Sequence, residues 1–193
     1  MPPHRPLPDA VTPTRSSAQA TAHGVFLEVE GLGVFLRGAS GAGKSELGLE
    51  LLTRGHKLIA DDIVEWRRTA DAAGVIGRCP PLLDGFIEVR GLGILNARAL
   101  YGEAAVAVAA PLDLVIDLGV RAETAAEERL HGRRASYTVL GITVPEISLP
   151  RRVGHNLAVL VEAACRDHRL RLSGYRADDD LVERQRRRLE HPE

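Results

Sequence analysis

The sequence is short of cysteine and of aromatic residues, and it carries no excess of charge of either sign. Its 193 residues include two cysteines and one tryptophan, and the formal net charge is −1. Cys79 and Cys165 are too few and too far apart in sequence for a disulfide framework or a zinc site. The balanced charge gives no whole-molecule attraction to nucleic acid or anionic lipid, so we expect neither nucleic acid nor membrane as a partner.

Long apolar runs are also absent. No run approaches the ~18 residues that a membrane span requires, and the N-terminus lacks the continuous apolar segment of a secretory signal. Residues 1–22 instead contain five prolines, which remove backbone donors and disfavour helix. We therefore expect a flexible proline-rich tail at residues 1–22 and one folded domain at residues 23–193, in a soluble, cytoplasmic protein.

The chain does contain a phosphate-binding motif. Residues 38–45 fit the P-loop pattern G-x-x-x-x-G-K-[ST] and follow an apolar, β-rich segment at residues 34–37. The glycines allow backbone N–H groups to point at phosphate oxygens, and the helix that follows adds its positive end. Lys44 is expected to reach the β- and γ-phosphates and Ser45 to bind Mg²⁺. A glycine-rich turn that binds nothing is the alternative. The predicted nucleotide-binding residues are Gly38, Ala39, Ser40, Gly41, Ala42, Gly43, Lys44 and Ser45.

Local patterns predict the elements around this motif. Residues 24–30 and 34–37 are β-rich runs separated by two glycines, which is typical of a hairpin. Apolar residues recur with helical spacing after the motif, and Gly55 predicts the end of that helix. Lys57–Ala60 is a predicted strand that leads into an Asp-Asp pair. This order predicts an α/β fold with the acidic pair at the carboxyl end of a strand, where α/β sheets bind ligands.

The rest of the chain contains further strand-like runs and two helix-like segments. The strand-like runs are residues 63–67, 74–79, 86–89, 106–109, 112–118 and 137–144. Asn156 is the predicted N-cap of an amphipathic helix whose apolar face includes Cys165. Residues 177–189 carry three aspartates near the start and three arginines near the end, which matches the helix dipole. A solvated helix explains these charges, and a partner-binding face is the alternative.

Acidic residues follow several of the predicted strands. Adjacent residues on a strand point to opposite faces, so we expect that Asp61 and Asp62 cannot both address the same phosphate. One is a candidate general base or metal-associated acid and the other is structural. Asp117 closes an apolar run and resembles a Walker B element, with an ordinary strand end as the alternative. Glu88 and Arg90 share one face of a strand that leads into two glycines, a pattern that an exposed strand and turn would also give.

Together these segments resemble the catalytic domain of bacterial HPr kinase/phosphorylase. The resemblance covers about residues 23–175. The P-loop alone is common, whereas the Ala-Asp-Asp block at residues 60–62 and the Glu-x-Arg-Gly-Leu-Gly-Ile block at residues 88–94 are specific in combination. The resemblance implies the P-loop-containing nucleotide-binding fold of the HPr kinase type, related to phosphoenolpyruvate carboxykinase, with a mixed sheet and flanking helices. The matching blocks are residues 23–25, 38–46, 54–62, 87–96, 129–130 and 150–156.

The resemblance also implies an activity. The family uses ATP and Mg²⁺ to phosphorylate a seryl residue of HPr, the small phosphocarrier protein of the phosphotransferase system. It removes that phosphate by phosphorolysis with inorganic phosphate, which gives pyrophosphate, and it assembles as a homo-oligomer, a hexamer. By position, Asp62 matches the catalytic base and Ser45 and Glu88 match the magnesium ligands. Further catalytic matches are Lys44, His23 and Arg129, and the segment linked to dephosphorylation matches Pro150, Arg151, Arg152, Val153, Gly154 and His155.

The sequence departs from the family pattern at three places. Ala39 stands where aspartate is familiar, and His155 stands where arginine is usual. The loss of a permanent positive charge at His155 predicts weaker binding of inorganic phosphate and slower phosphorolysis. The family's long form also carries a separate N-terminal domain, so we expect this chain to correspond to the short form, the C-terminal catalytic domain, seen in some proteobacteria.

Two other functions fit parts of the sequence. One is a P-loop kinase that acts on a small molecule, and the other is a nucleotide-sensing interaction module without chemistry. His23 and Arg129 would then be an exposed histidine and part of a solvated charged helix. Lys44, Asp62 and Glu88 occur together with the P-loop, and this favours an enzyme because a binding module needs no base.

Overall fold

The computed structural model describes residues 19–119, 131–150 and 156–190. Its helices, numbered in chain order, are α1 (Lys44–Thr53), α2 (Ala97–Tyr101), α3 (Leu157–Leu172) and α4 (Ala177–Glu190). Its strands are β1 (Gln19–His23), β2 (Val25–Val29), β3 (Leu32–Arg37), β4 (Lys57–Ala60), β5 (Ile63–Arg68), β6 (Val75–Arg78), β7 (Phe86–Val89), β8 (Gly93–Asn96), β9 (Ala109–Pro111), β10 (Leu114–Asp117), β11 (Arg134–Val139) and β12 (Ile142–Ser148).

A six-stranded mixed sheet lies at the centre, in the order β11-β12-β10-β3-β2-β4. Strand β10 runs parallel to both β3 and β12, whereas β2 runs antiparallel to both β3 and β4. Strands β3, β4, β10 and β12 therefore point in the same direction. Their carboxyl ends lie at one edge of the sheet, which is where α/β sheets collect ligand-binding groups.

Each face of this sheet is covered by a different layer. On one face, α1 and α3 bury an aliphatic cluster that includes Leu51, Leu58 and Val161. On the other face lies the four-stranded sheet β1-β5-β6-β9. The layer between the two sheets is aromatic, because Trp66 packs edge-on against Phe26 and Phe35 with ring centroids 5.0 and 5.2 Å apart. The aliphatic layer supports the helix that follows the P-loop.

A small hairpin of β7 and β8 completes the architecture. Ile87 and Val89 are buried in the aliphatic cluster with α1, while the intervening side chain of Glu88 is exposed. This alternation is the period-two pattern of a strand with one buried face. The hairpin is thus fixed to the helical layer and directs Glu88 outward.

The predicted α/β fold with a mixed sheet and helices is confirmed. The first hairpin forms between β2 and β3, and its turn at Glu30 and Gly31 has φ angles of 53° and 77°, as tight two-residue hairpin turns require. Lys57–Ala60 is a strand as predicted. Asn156 caps α3 by accepting a hydrogen bond from the Val159 N–H at 3.1 Å. Helix α4 forms with no buried residue.

Three sequence-based boundaries are wrong. Gln19–His23 is a strand paired with β5, so the folded part begins at or before Gln19, and only residues 1–18 of the predicted tail lie outside the described residues. Residues 137–144 belong to two strands, since Leu140 and Gly141 turn the chain with φ angles of 51° and 73°. The strand expected at residues 106–109 begins only at Ala109. Pairing with a distant strand defines β1 and β9, whereas a tight turn between neighbouring strands divides residues 137–144.

Both cysteines are buried and unpaired. Burial raises the pKa of Cys79 to about 11 and that of Cys165 to about 12, so both thiols are neutral at physiological pH. Within the described ranges, no helix combines the length and the apolar character needed to cross a membrane.

Candidate active site

A cleft of about 340 Å³ opens at the carboxyl edge of the central sheet. Four short segments that are separate in sequence meet there: the end of β1, the P-loop with the start of α1, the end of β4 and the end of β7. Most of the predicted site residues that the structure describes line this cleft, whereas Ala39, Ala42 and Pro150 do not. The lining includes His23, Gly38, Ser40, Gly41, Gly43, Lys44, Ser45, Asp62 and Glu88.

The P-loop leaves β3 at Gly38 and enters α1 at Lys44. Gly41 and Gly43 have φ angles of 76° and 80°, a left-handed conformation that glycine adopts without steric cost. Gly43 is the N-cap of α1, and no side chain caps this helix end. The start of α1 therefore has the uncapped N–H groups that favour an anion at a helix N-terminus.

Lys44 lies over the loop from which it arises. Its Nζ donates hydrogen bonds to the carbonyl oxygens of Gly38 and Ala39, at 3.0 and 3.1 Å. The Ala39 carbonyl also accepts from the Ala42 N–H, while the Ala42 side chain is buried in the aliphatic cluster. The ammonium group is thus held at the loop by two backbone carbonyls.

Asp61 connects three parts of the site. It is 5% exposed. Its Oδ1 accepts from the Ser45 hydroxyl at 3.0 Å, and its Oδ2 accepts from the Glu88 N–H at 2.8 Å. Burial raises the pKa of Asp61, and the hydrogen bonds from Glu88 and Ser45 oppose that rise. One carboxylate therefore fixes the start of α1 against β7.

The two residues predicted as magnesium ligands lie on either side of Asp61. Ser45 bonds to its carboxylate through the hydroxyl, and Glu88 bonds to it through the backbone, which leaves the Glu88 carboxylate directed into the cleft. Hydroxyl and carboxylate oxygens are the hard donors that Mg²⁺ prefers. The donor set of the described residues therefore fits Mg²⁺.

Asp62 differs from Asp61 although the two are adjacent. Its side chain is 67% exposed, and its Oδ1 lies 3.4 Å from Nδ1 of His23. Its φ angle is 67°, an unusual value for a residue other than glycine. Both aspartates nevertheless line the cleft, contrary to the expectation of opposite faces, because β4 ends at Ala60 and strand alternation does not extend beyond it.

Gly24 brings His23 and Asp62 together. Its N–H donates to the Asp62 carbonyl at 3.0 Å. A Cβ at this position would lie 2.4 Å from Cε2 of Phe35 and 2.5 Å from the Leu36 carbonyl oxygen, so only glycine allows this approach to β3. The sequence shows the glycine but not the neighbour that requires it.

Three other predicted positions have different outcomes. Asp117 ends β10, as expected, but its Oδ1 accepts from the Gly119 N–H at 2.8 Å, and the described residues that line the cleft do not include it. It is therefore a strand-end residue. Arg129 and residues 151–155 lie outside the described residues, and Pro150 follows the end of β12.

Two charged residues in the cleft were not predicted as site residues. Arg90 and Glu46 both line it. The signal for Arg90 was its alternation with Glu88 along one strand, which places both side chains on the same face. Glu46 follows the P-loop serine, where the first turn of a helix favours an acidic residue.

Comparison with known proteins decides the family. A family model described as HPr Serine kinase C-terminal domain matches residues 14–185. This chain belongs to that family. It is 50% identical over 168 residues to the HPr kinase/phosphorylase of Azoarcus sp. (strain BH72), covering 86% of this chain and 53% of the relative. It is 49% identical over 175 residues to the HPr kinase/phosphorylase of Aromatoleum aromaticum, covering 90% and 56%.

A solved structure extends the family match to three dimensions. The Hpr(Ser) kinase/phosphatase from Coxiella burnetii matches with a TM-score of 0.75 and 35% identity, covering 81% of this chain and 94% of that one. The resemblance found in the sequence and the HPr kinase fold are thus confirmed. The chain spans about half the length of the curated relatives it matches.

Proposed function

We propose that this chain phosphorylates a seryl residue of HPr with ATP and reverses the reaction by phosphorolysis, which makes pyrophosphate from inorganic phosphate. The observation that carries the proposal is the presence of Lys44, Ser45 and Asp62 in one cleft, at the loop that would hold nucleotide phosphates. The names of the relatives, HPr kinase/phosphorylase, support the choice of acceptor.

Binding is the first task of the proposed site. The uncapped start of α1 and the N–H groups of the P-loop would hold the phosphates of ATP. Lys44 would exchange its bonds to the Gly38 and Ala39 carbonyls for phosphate oxygens. Ser45 and Glu88 would hold Mg²⁺, which when bound supplies positive charge to the phosphates.

Proton transfer is the task of Asp62. Its exposed carboxylate is accessible to an acceptor hydroxyl at the cleft mouth, whereas both oxygens of Asp61 already accept hydrogen bonds. As the seryl oxygen bonds to the terminal phosphorus, the bond from phosphorus to ADP breaks and the seryl proton passes to Asp62. In phosphorolysis, inorganic phosphate takes the phosphoryl group, and the proton returns to the seryl oxygen.

The remaining roles follow the resemblance. His23, at 3.4 Å from Asp62, would orient or polarise that carboxylate, and Arg129 would add a catalytic positive charge. Residues 150–155 would act chiefly in dephosphorylation. We also propose a cytoplasmic enzyme that assembles as a hexamer, with inorganic phosphate and pyrophosphate as the other reactants. Gel filtration with light scattering tests the assembly.

The decisive experiment is incubation with ATP, Mg²⁺ and purified HPr, followed by mass mapping of the phosphate. We expect a phosphoseryl product, and we expect added inorganic phosphate to reverse it with release of pyrophosphate. Phosphate transfer to a metabolite but not to HPr would instead indicate a small-molecule kinase. Tight ATP binding without any phosphorylated product would indicate a nucleotide-sensing module.

A further inference from the structure

Arg90 lies in the cleft, close to the P-loop. It is the first residue after β7, and its side chain lines the cleft. A Cβ built on Gly41 would lie 3.5 Å from both Nη1 and Nη2 of Arg90. The guanidinium group therefore lies close to Gly41, in the middle of the P-loop.

The position of Arg90 is fixed by its hairpin. Val89, the preceding residue, is 4% exposed and packs in the aliphatic cluster. Its carbonyl accepts the Leu92 N–H at 3.0 Å, which closes the turn containing Arg90. The backbone of Glu88 is held by Asp61 at 2.8 Å. The hairpin is thus attached to the same carboxylate that holds Ser45.

The described lining of the cleft contains more acidic residues than permanent cations. Among the described residues that line it, four are acidic, namely Glu46, Asp61, Asp62 and Glu88, whereas Lys44 and Arg90 are the permanent cations. A triphosphate adds further negative charge. Catalysis of phosphoryl transfer depends mainly on neutralising that charge with groups already in position.

We propose that Arg90 is a phosphate-binding residue that contacts the terminal phosphate of ATP beside Gly41 of the P-loop. This inference rests on the proposed binding of ATP but not on HPr as the proposed acceptor. The planar guanidinium presents paired N–H donors that match two phosphate oxygens, which the single ammonium of lysine does not. ATP therefore gains more from Arg90 than ADP does.

The test compares ATP with ADP. Fluorescent analogues of both nucleotides are titrated with Mg²⁺ present into the full chain, its Arg90→Gln and Arg90→Lys variants, and Arg67→Gln as the matched control. Arg67 is exposed and lies at the far end of β5, where it pairs with Gln19 rather than with the cleft. Because the Arg90 side chain is exposed, the melting temperature of Arg90→Gln is expected to match that of the wild type.

Loss of a charge-assisted contact predicts that Arg90→Gln weakens ATP binding by about 10- to 100-fold. ADP affinity should change much less, Arg90→Lys should restore part of the loss, and Arg67→Gln should bind like the wild type. Equal weakening of both nucleotides, or unchanged ATP affinity, would overturn the proposal. A wild type that binds ATP but leaves HPr unphosphorylated would overturn the proposed acceptor, while the nucleotide comparison still decides the role of Arg90.

Discussion

At the scale of single residues, Asp61 and Asp62 are adjacent in sequence but differ in exposure and in hydrogen-bond partners. Asp61 is buried, and both of its oxygens accept hydrogen bonds within the protein. Asp62 is exposed beside His23. Because a general base must reach the proton it removes, Asp62 is the one suited to accept a proton from a substrate hydroxyl. Asp61 is suited to hold the site together.

Replacing Asp62 by asparagine tests this assignment. The variant keeps the size of the side chain but removes its basicity, so nucleotide binding should be largely intact. Kinase turnover should fall by on the order of 10²-fold or more. Nucleotide affinity is measured by titration calorimetry and turnover by phosphate incorporation into HPr.

Asp117→Asn is the matched control, because Asp117 also ends a strand at the same sheet edge but bonds to the Gly119 N–H instead of lining the cleft. An asparagine oxygen can still accept that bond, so turnover should stay close to that of the wild type. Near-normal turnover in Asp62→Asn would show that another group removes the proton.

The site residues that were found from sequence belong to short local motifs, whereas those that were missed depend on contacts between residues far apart in sequence. Lys44 and Ser45 belong to the P-loop, and Asp62 belongs to the Ala-Asp-Asp block. A short stretch of sequence is therefore enough to find each of them. Gly24 is required by Phe35 across the sheet, and Arg90 matters because it lies over Gly41. No local pattern reports such pairings.

At the scale of elements, the position of α1 is set at its far end as well as at the P-loop. Arg54, its C-cap, forms a bidentate pair with Glu162 of α3 at 2.7 Å for each bond. Nε2 of His56 lies 3.0 Å from Oε1 of the same glutamate. One carboxylate thus ties the end of α1 and the start of β4 to α3.

Glu162→Gln should lower the free energy of unfolding at pH 7. The Glu162 side chain is 11% exposed and that of Arg54 is 35% exposed. We therefore expect a loss of about 1–3 kcal/mol, less than for a fully buried ion pair. Urea denaturation measures the change. Glu183→Gln on α4 is the control: Glu183 also bonds two arginines, but its side chain is 39% exposed, and we expect at most ~1 kcal/mol there.

The ion pair between Arg54 and Glu162 also predicts that the stability of the protein depends on pH. The hydrogen bonds from Arg54 lower the pKa of Glu162 from 4.5 to about 2, with burial opposing them and His56 assisting. The folded state favours the ionised carboxylate of Glu162 more than the unfolded state does. The contribution of this carboxylate to the free energy of unfolding is therefore complete above pH 4.5 and is lost as the pH falls toward 2. The stability gap between the wild type and Glu162→Gln should narrow over that range. A constant gap would contradict the assignment.

Elements with strong local patterns were predictable. The first hairpin has β-rich runs around glycines, α1 has helical spacing of apolar residues with Gly55 beyond its end, and α3 has Asn156 as its N-cap. The structure confirms all three elements. Strand β1 is different, because its alternating small and polar residues are exposed or half-buried, and among the described strands only β5 pairs with it. Its existence depends on a partner more than forty residues away in sequence, Gln19 opposite Arg67.

At the scale of the whole molecule, the cleft joins segments from every layer. His23 belongs to the outer sheet, Lys44 to the helical layer, Asp62 to the end of the central sheet and Glu88 to the small hairpin. A ligand that contacts all four cannot remain bound when any of these layers unfolds. Nucleotide binding should therefore report on the stability of the entire fold.

MgATP should stabilise the protein by mass action. At a free concentration of about 100 times the Kd, the free energy of unfolding rises by about 2.7 kcal/mol, and the melting temperature of a chain of this size rises by roughly 5–10 °C. Differential scanning fluorimetry across a nucleotide titration measures the shift. Lys44→Gln is the critical variant, since it removes the ammonium that contacts Gly38 and Ala39 while leaving the helix and sheets unchanged. Its shift should be small at the same MgATP concentration, and a shift equal to that of the wild type would place the nucleotide outside this cleft.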